Sequence, residues 1–165
     1  MVGRKGEFRD NVDVVVDICE QLGYTAFDAL YGKSMWGQRP EDQGDLAMEN
    51  PLLASRAVVR LGGTVLSEAV SSARDYPLLT AGDAVGVCDR LAQHGASNVG
   101  FLADFYHLAV NGEDLGELVE RYAERIAHVQ IADAPGRHEP GTGNLDLARP
   151  PSVVNHEGLA LSVDR

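Results

Sequence analysis

Positive charge is scarce in this sequence: 14 Lys+Arg face 25 Asp+Glu, for a formal net charge of −11. Such a chain repels phosphate backbones and anionic bilayers, which argues against nucleic acid or a membrane surface as its main partner and leaves room for a divalent cation. Long apolar runs are missing as well. Nothing approaches the roughly 20 residues of a membrane span, and the opening Met1-Val2-Gly3-Arg4-Lys5-Gly6-Glu7 lacks an apolar signal core, so a cytoplasmic protein is expected. Cysteine is nearly absent. Cys19 and Cys88 stand alone without metal-type spacing, and both are expected to be reduced, buried thiols.

What is present is ordinary globular material: 165 residues, 44% hydrophobic and 24% charged, enough for one domain with its own core. Phe8, Val12, Val15 and Cys19 recur at helical spacing ahead of Gly23, predicting a helix over residues 7–21. Residues 24–31 are rich in β-formers and read as a short strand. Gly, Pro, Gln and acids without period make residues 34–50 a loop. A helix follows over residues 51–61, with Pro51 in its first turn.

The second half is clearer. Residues 64–68 form a strand, and Thr80 caps a helix whose stripe is Ala81, Val85, Cys88, Leu91 and Ala92. Residues 99–104 form the next strand, followed by a loop through Asn111-Gly112. A helix from Asp114 carries Leu115, Leu118, Val119, Tyr122 and Ile126 on one face, with acids early and Arg121 and Arg125 late, as its macrodipole favours. Residues 127–132 form the last strand and run into a Gly- and Pro-rich loop. Strands alternating with helices demand parallel pairing through right-handed crossovers, hence an α/β sheet or barrel. A closed eight-stranded barrel needs roughly 250 residues, so this chain is about a third too short.

In such folds chemistry gathers where strands end, because the loops after them converge on one face. Alternation places Thr64, Leu66 and Glu68 on one side, with Gly100, Leu102 and Asp104, and with His128, Gln130 and Ala132. Singly, each polar residue is an ordinary strand terminus. Together, Glu68, Asp104 and Gln130 offer three oxygen donors from successive strands, a set that suits Mg²⁺ or Mn²⁺ better than zinc. His107, three residues after Asp104, can aim an imidazole at whatever Asp104 holds, whereas His128 reads as a core histidine. The loop Gly136-Arg137-His138-Glu139-Pro140-Gly141-Thr142-Gly143 brings a cation, an imidazole and a carboxylate together, and a planar guanidinium there can grip a carboxylate. A surface turn with a salt bridge is the plain alternative.

Asp104-Phe105-Tyr106-His107, then His128-Val129-Gln130-Ile131-Ala132-Asp133 and the loop from Pro135 to Gly143, resemble the hydroxypyruvate isomerase family of xylose-isomerase-like sugar isomerase and epimerase barrels. Residues 3–9, the segment 66–71 and Arg74-Asp75-Tyr76-Pro77 are similar to the same family, and the likeness covers residues 3–146. It implies a (β/α)8 TIM barrel present in part, about four βα units resembling strands four to seven. It also implies a divalent metal, Mg²⁺ or Mn²⁺, and a small keto-acid or sugar-like substrate isomerised by proton transfer through an enediolate. By motif, Glu68 matches a glutamate that is both catalytic and a metal ligand. Asp104 and Gln130 match two further ligands. His107 and Arg137 match substrate-contacting positions, and His138 and Glu139 belong to the same signature loop.

Departures accompany the likeness. Relatives tend to have a Pro and an Asn after the first glutamate, where this chain has Ala69 and Ser71. The family's second catalytic glutamate has no counterpart in residues 147–165, which are expected to be a tail outside the likeness. A partial barrel would expose sheet edges, inviting homo-oligomerisation. The alternatives to a hydroxypyruvate isomerase are a catalytically inactive barrel fragment or another sugar or keto-acid isomerase or epimerase. A DNA-repair reading, from shared fold with endonuclease-type barrels, is opposed by the net charge of −11.

Overall fold

The computed structural model describes residues 4–32, 40–73, 75–147 and 160–163. Its elements run α1 (Arg4–Leu22), β1 (Ala26–Asp28), α2 (Pro40–Val58), β2 (Thr64–Glu68), α3 (Ala81–Gln93), β3 (Val99–Asp104), α4 (Phe105–Val110), α5 (Leu115–Tyr122), β4 (Ile126–Ile131) and β5 (Ala160–Val163). All neighbouring strands pair in parallel in the order β1-β2-β3-β4-β5. Sequential order with crossovers of one hand keeps the helices on one face of the sheet, the winding of a barrel wall rather than of a doubly wound sheet. The expected partial TIM barrel is what is found.

Register determines which side chains share a face. Leu66 lies opposite Gly100, Glu68 opposite Leu102 and Asp104 opposite Gln130, so the predicted inner face is real. The other face carries the core. Phe101, Ala103, Ile126 and Val129 pack under Ala81, Ala84 and Val85 of α3, Phe105 and Leu108 of α4, and Leu118 and Val119 of α5. Phe27 and Val65 lie under Val12, Val16 and Cys19 of α1 and Ala54 and Val58 of α2. Each large apolar side chain buried this way contributes roughly 1.5–3 kcal/mol of transfer free energy. Between Phe101 and Leu102 the register with β4 slips by a bulge, and a Cβ at Gly100 would overlap that of Ala127. Glycine there lets the extra residue of β4 press against β3.

Several predictions need correction. The loop over residues 34–50 gives way to helix from Pro40 onward, and its earlier part lies outside the described residues. Pro51 sits inside α2 instead of opening it. A proline there forfeits one intrahelical hydrogen bond, and the packing of Ala54 and Val58 against β2 offsets that loss. On α1 the buried series is Val12, Val16 and Cys19, while Val15 is 44% exposed, because spacings of four and three keep the first three on one line. The loop after β3 begins as the helix α4, with Asp104 as its N-cap. Ile126 belongs to β4, not to the helix before it. In the expected tail, β5 adds a fifth strand that places Ser162 opposite Gln130. Cys19 and Cys88 are free and buried, as expected. Among the described residues, no helix is long and apolar enough to cross a membrane.

Candidate functional site

Three titratable groups converge at the carboxyl ends of β2 and β3. Glu68 closes β2, Asp104 closes β3, and His107 stands one turn into α4, at 6%, 1% and 7% exposure. One ligand-type atom from each lies within 4.8 Å of the others. Asp104 is placed by its capping role: Oδ1 accepts the His107 main-chain N–H at 3.0 Å, which carries the imidazole back over the carboxylate. Nε2 of His107 then stands 3.8 Å from Asp104 Oδ2.

The far side of the imidazole faces the loop leaving β2. The Ser71 main-chain N–H donates to His107 Nδ1 at 3.1 Å, and the Ser71 Oγ lies 2.7 Å from the same nitrogen. A main-chain N–H can only donate, so Nδ1 presents its lone pair and the single proton of the neutral ring belongs on Nε2. His107 therefore offers a donor toward the carboxylates and makes a poor cation ligand, although proximity groups it with them.

Arg137 completes the cluster from the loop after β4. Its Nη2 donates to Asp104 Oδ2 at 2.9 Å, and its guanidinium carbon lies 5.7 Å from the Tyr106 ring centroid. The pair is buried at the carboxylate and half open at the arginine, so solvent reaches one end only. Arg137, Ser72 and Asp75 all have left-handed backbone, at φ +57°, +60° and +65°. Strain of this kind persists where the surroundings over-determine the chain, often at functional sites. His138 and Glu139 are exposed, and their main-chain groups shape the loop: His138 bridges to Asp133, and the Glu139 carbonyl accepts from Thr142. Gln130 is half-buried and shares the inner face with Asp104.

Sequence reasoning passed over the groups that build the setting. Asp133 accepts main-chain N–H groups from Ala134 at 2.8 Å, Gly141 at 2.9 Å and Leu145 at 3.0 Å. Donation from Leu145 and Gly143 above all, with Gly141 and Ala134 adding, holds its carboxyl below the usual carboxylate range. A side chain at Gly143 would run into Asp133, which explains a glycine there. An acid followed by a glycine-rich stretch was the available signal. Tyr76 donates to the Glu68 carbonyl at 3.1 Å and accepts the Tyr31 N–H at 3.3 Å. Burial first, with Asp28 and Glu68 adding against the Tyr31 hydrogen bond, pushes its phenol up to about 12. Asp28 ends β1 opposite Leu66, and desolvation pushes its carboxyl up to about 6 even though the residue keeps solvent access.

The donor chemistry suits a hard divalent cation. An ionised carboxylate has about four lone-pair sites. Among the described residues, hydrogen bonds from His107 and Arg137 occupy one site on each Asp104 oxygen, leaving capacity on both. Glu68 and Asp104 bring carboxylate oxygens within 4.8 Å of each other, and Gln130 lies opposite Asp104 on the neighbouring strand.

Comparison with known proteins agrees with the architecture. The family model described as xylose isomerase-like TIM barrel matches residues 3–161. A curated Streptomyces coelicolor protein provisionally named hydroxypyruvate isomerase is 48% identical over 143 residues, 85% of this chain and 51% of that protein. The Escherichia coli protein named hydroxypyruvate isomerase is 29% identical over 146 residues, 87% of this chain and 55% of its own length. This chain thus spans about half the length of the curated relatives it matches. A Brucella melitensis crystal structure described as AP endonuclease, family 2, superposes with a TM-score of 0.84 at 31% identity, covering 98% of this chain and 63% of that one.

Proposed function

The chain belongs to the xylose isomerase-like TIM barrel family, and from that premise we propose that it carries the site of a metal-dependent isomerase acting on a short 2-oxo acid, hydroxypyruvate being the leading substrate. The observation that carries the reading is the convergence of Glu68, Asp104 and His107 within 4.8 Å, closed over by Arg137. Glu68, Asp104 and Gln130 would hold Mg²⁺ or Mn²⁺, which when bound supplies Lewis acidity to adjacent substrate oxygens without redox change.

The chain's own groups account for the rest. Glu68 is the base: its carboxylate takes a proton from the hydroxymethyl carbon of hydroxypyruvate and returns it to the neighbouring carbonyl carbon, while the hydroxyl proton passes to the former carbonyl oxygen, so that the hydroxymethyl group becomes the aldehyde and the ketone becomes the alcohol. The Nε2–H of His107 donates to the carbonyl oxygen as negative charge develops there. Arg137 suits the substrate carboxylate with its planar fork, and its contact with Asp104 keeps it at the mouth. His138 and Glu139, exposed in the same loop, are assigned to contacts with the substrate. Names of relatives lend support to a keto-acid isomerase, and the net charge of −11 weighs against a DNA-processing role. Isomerisation of hydroxypyruvate followed by proton NMR, with Mg²⁺ or Mn²⁺ added and then chelated, tests the reading. Turnover that appears with metal and falls by at least about 10²-fold in Glu68→Gln is expected; metal-independent turnover, or a fully active Glu68→Gln, overturns it.

A further inference from the structure

We propose that Ser71 is a positioning residue that holds His107 as an Nε2–H donor and so tunes the site to a substrate with an acceptor oxygen, a carbonyl or its enolate, beside the transferred proton. The kinetic half of this proposal rests on the isomerase reading above; the structural half does not.

The geometry is unusual for a serine in a connecting loop. The chain leaves β2 at Glu68, passes the buried Ala69, and is tied to the far side of the loop by the Val70 N–H on the Leu78 carbonyl at 3.1 Å. At Ser72 it enters left-handed backbone, φ +60°. That turn leaves Ser71 only 4% exposed, with its N–H and its hydroxyl on one nitrogen of a histidine 36 residues away. The N–H sets the direction of the hydrogen bond. The hydroxyl, free to rotate its proton, becomes the second donor on the same lone pair. The residue is held from other sides by Tyr106, whose ring centroid lies 5.4 Å from that of the imidazole in an edge-on contact, and by the His107 main-chain N–H on Asp104. Two donors on Nδ1 place the ring proton on Nε2, on the side of the Glu68 and Asp104 carboxylates. A nitrogen carrying a proton has no lone pair for a cation, so His107 serves the substrate and the carboxylates serve the metal.

The test is ring-nitrogen NMR on the full-length chain labelled in its five histidines, with the His107 signals identified by their loss in His107→Gln. The wild-type chain is expected to show Nδ1 unprotonated and Nε2 protonated. In Ser71→Ala, which keeps the main-chain donor but loses the hydroxyl, the Nδ1 signal should move toward that of a singly hydrogen-bonded nitrogen, kcat should fall about fivefold to tenfold, the worth of one buried hydrogen bond, KM should stay within about twofold, and Ser71→Thr should restore both readouts. A wild-type ring protonated on Nδ1, or a Ser71→Ala chain whose ring spectrum matches the wild type, overturns the proposal without any need for activity. If the spectra behave as expected while the wild-type chain fails to isomerise a 2-oxo acid, the tautomer assignment stands and the isomerase reading falls.

Discussion

Asp104 at the end of β3 and Asp133 just past the end of β4 are equally buried, each 1% exposed, yet they are employed in opposite ways. Asp133 is saturated by main-chain donors from Ala134, Gly141 and Leu145, which come from the loop that follows it. Asp104 accepts one main-chain N–H and one guanidinium, and keeps acceptor capacity on both oxygens. A carboxylate whose lone pairs are consumed by its own loop is a structural staple; one with capacity to spare, beside a second carboxylate, is poised for a ligand. Burial alone does not separate the two roles, but the identity of the donors does.

The largest way to sharpen this contrast is Asp104→Asn. Asparagine caps a helix about as well as aspartate, and the ion pair lost with Arg137 is half solvated, so stability should change by less than about 1 kcal/mol. Cation binding, read as the rise in Tm on adding Mn²⁺, should disappear together with turnover. An unchanged Mn²⁺ response would remove Asp104 from the ligand set. Asp133→Asn should do the reverse. It leaves the metal response in place but loosens the loop that presents Arg137, and misplacement of that order costs roughly 10²-fold in kcat/KM; full activity would deny the staple its role.

Smaller effects are expected on titration. The Asp133 carboxyl is held low by its main-chain donors, so its contribution to stability is complete above the ordinary carboxylate range and drains away as pH falls through the lowered value. Amide signals of Gly141 and Leu145 should report that loss below about pH 4, and Asp133→Asn should abolish the transition. Asp28 has the opposite sign. Its carboxyl is raised by burial to about 6, so the folded state loses stability as pH climbs from the ordinary carboxylate value through 6 and stays lower above it. Asp28→Asn should remove that dependence and gain at most about 1 kcal/mol near pH 7, given that the residue keeps solvent access. A loss instead would mean that its charge is used.

How much was legible depended on how local the cause was. The strands at residues 64–68 and 99–104 and the helices capped by Thr80 and Asp114 lie where the sequence places them, because side-chain period, caps and stop signals sit within a few residues of one another. The inner-face series ending in Glu68, Asp104 and Gln130 followed from alternation and parallel pairing alone. The start of α2 did not, since its Gly, Pro and acids argue against helix, and it belongs to a helix whose later residues Ala54 and Val58 pack with Phe27 and Val65. Nor did β5, which has a neighbour only because β4 leaves an edge beside it.

By itself, the order of residues determined the winding of the sheet, the face that would be polar and the end at which it would be so, since those follow from backbone periodicity and the hand of the crossovers. Tertiary structure decided what each polar group does there. Ser71 reaches His107 across 36 positions and Arg137 reaches Asp104 across 33, distances over which no local pattern operates. The direction of a hydrogen bond, and with it the difference between a ligand, a donor and a staple, exists only once those groups have been brought together.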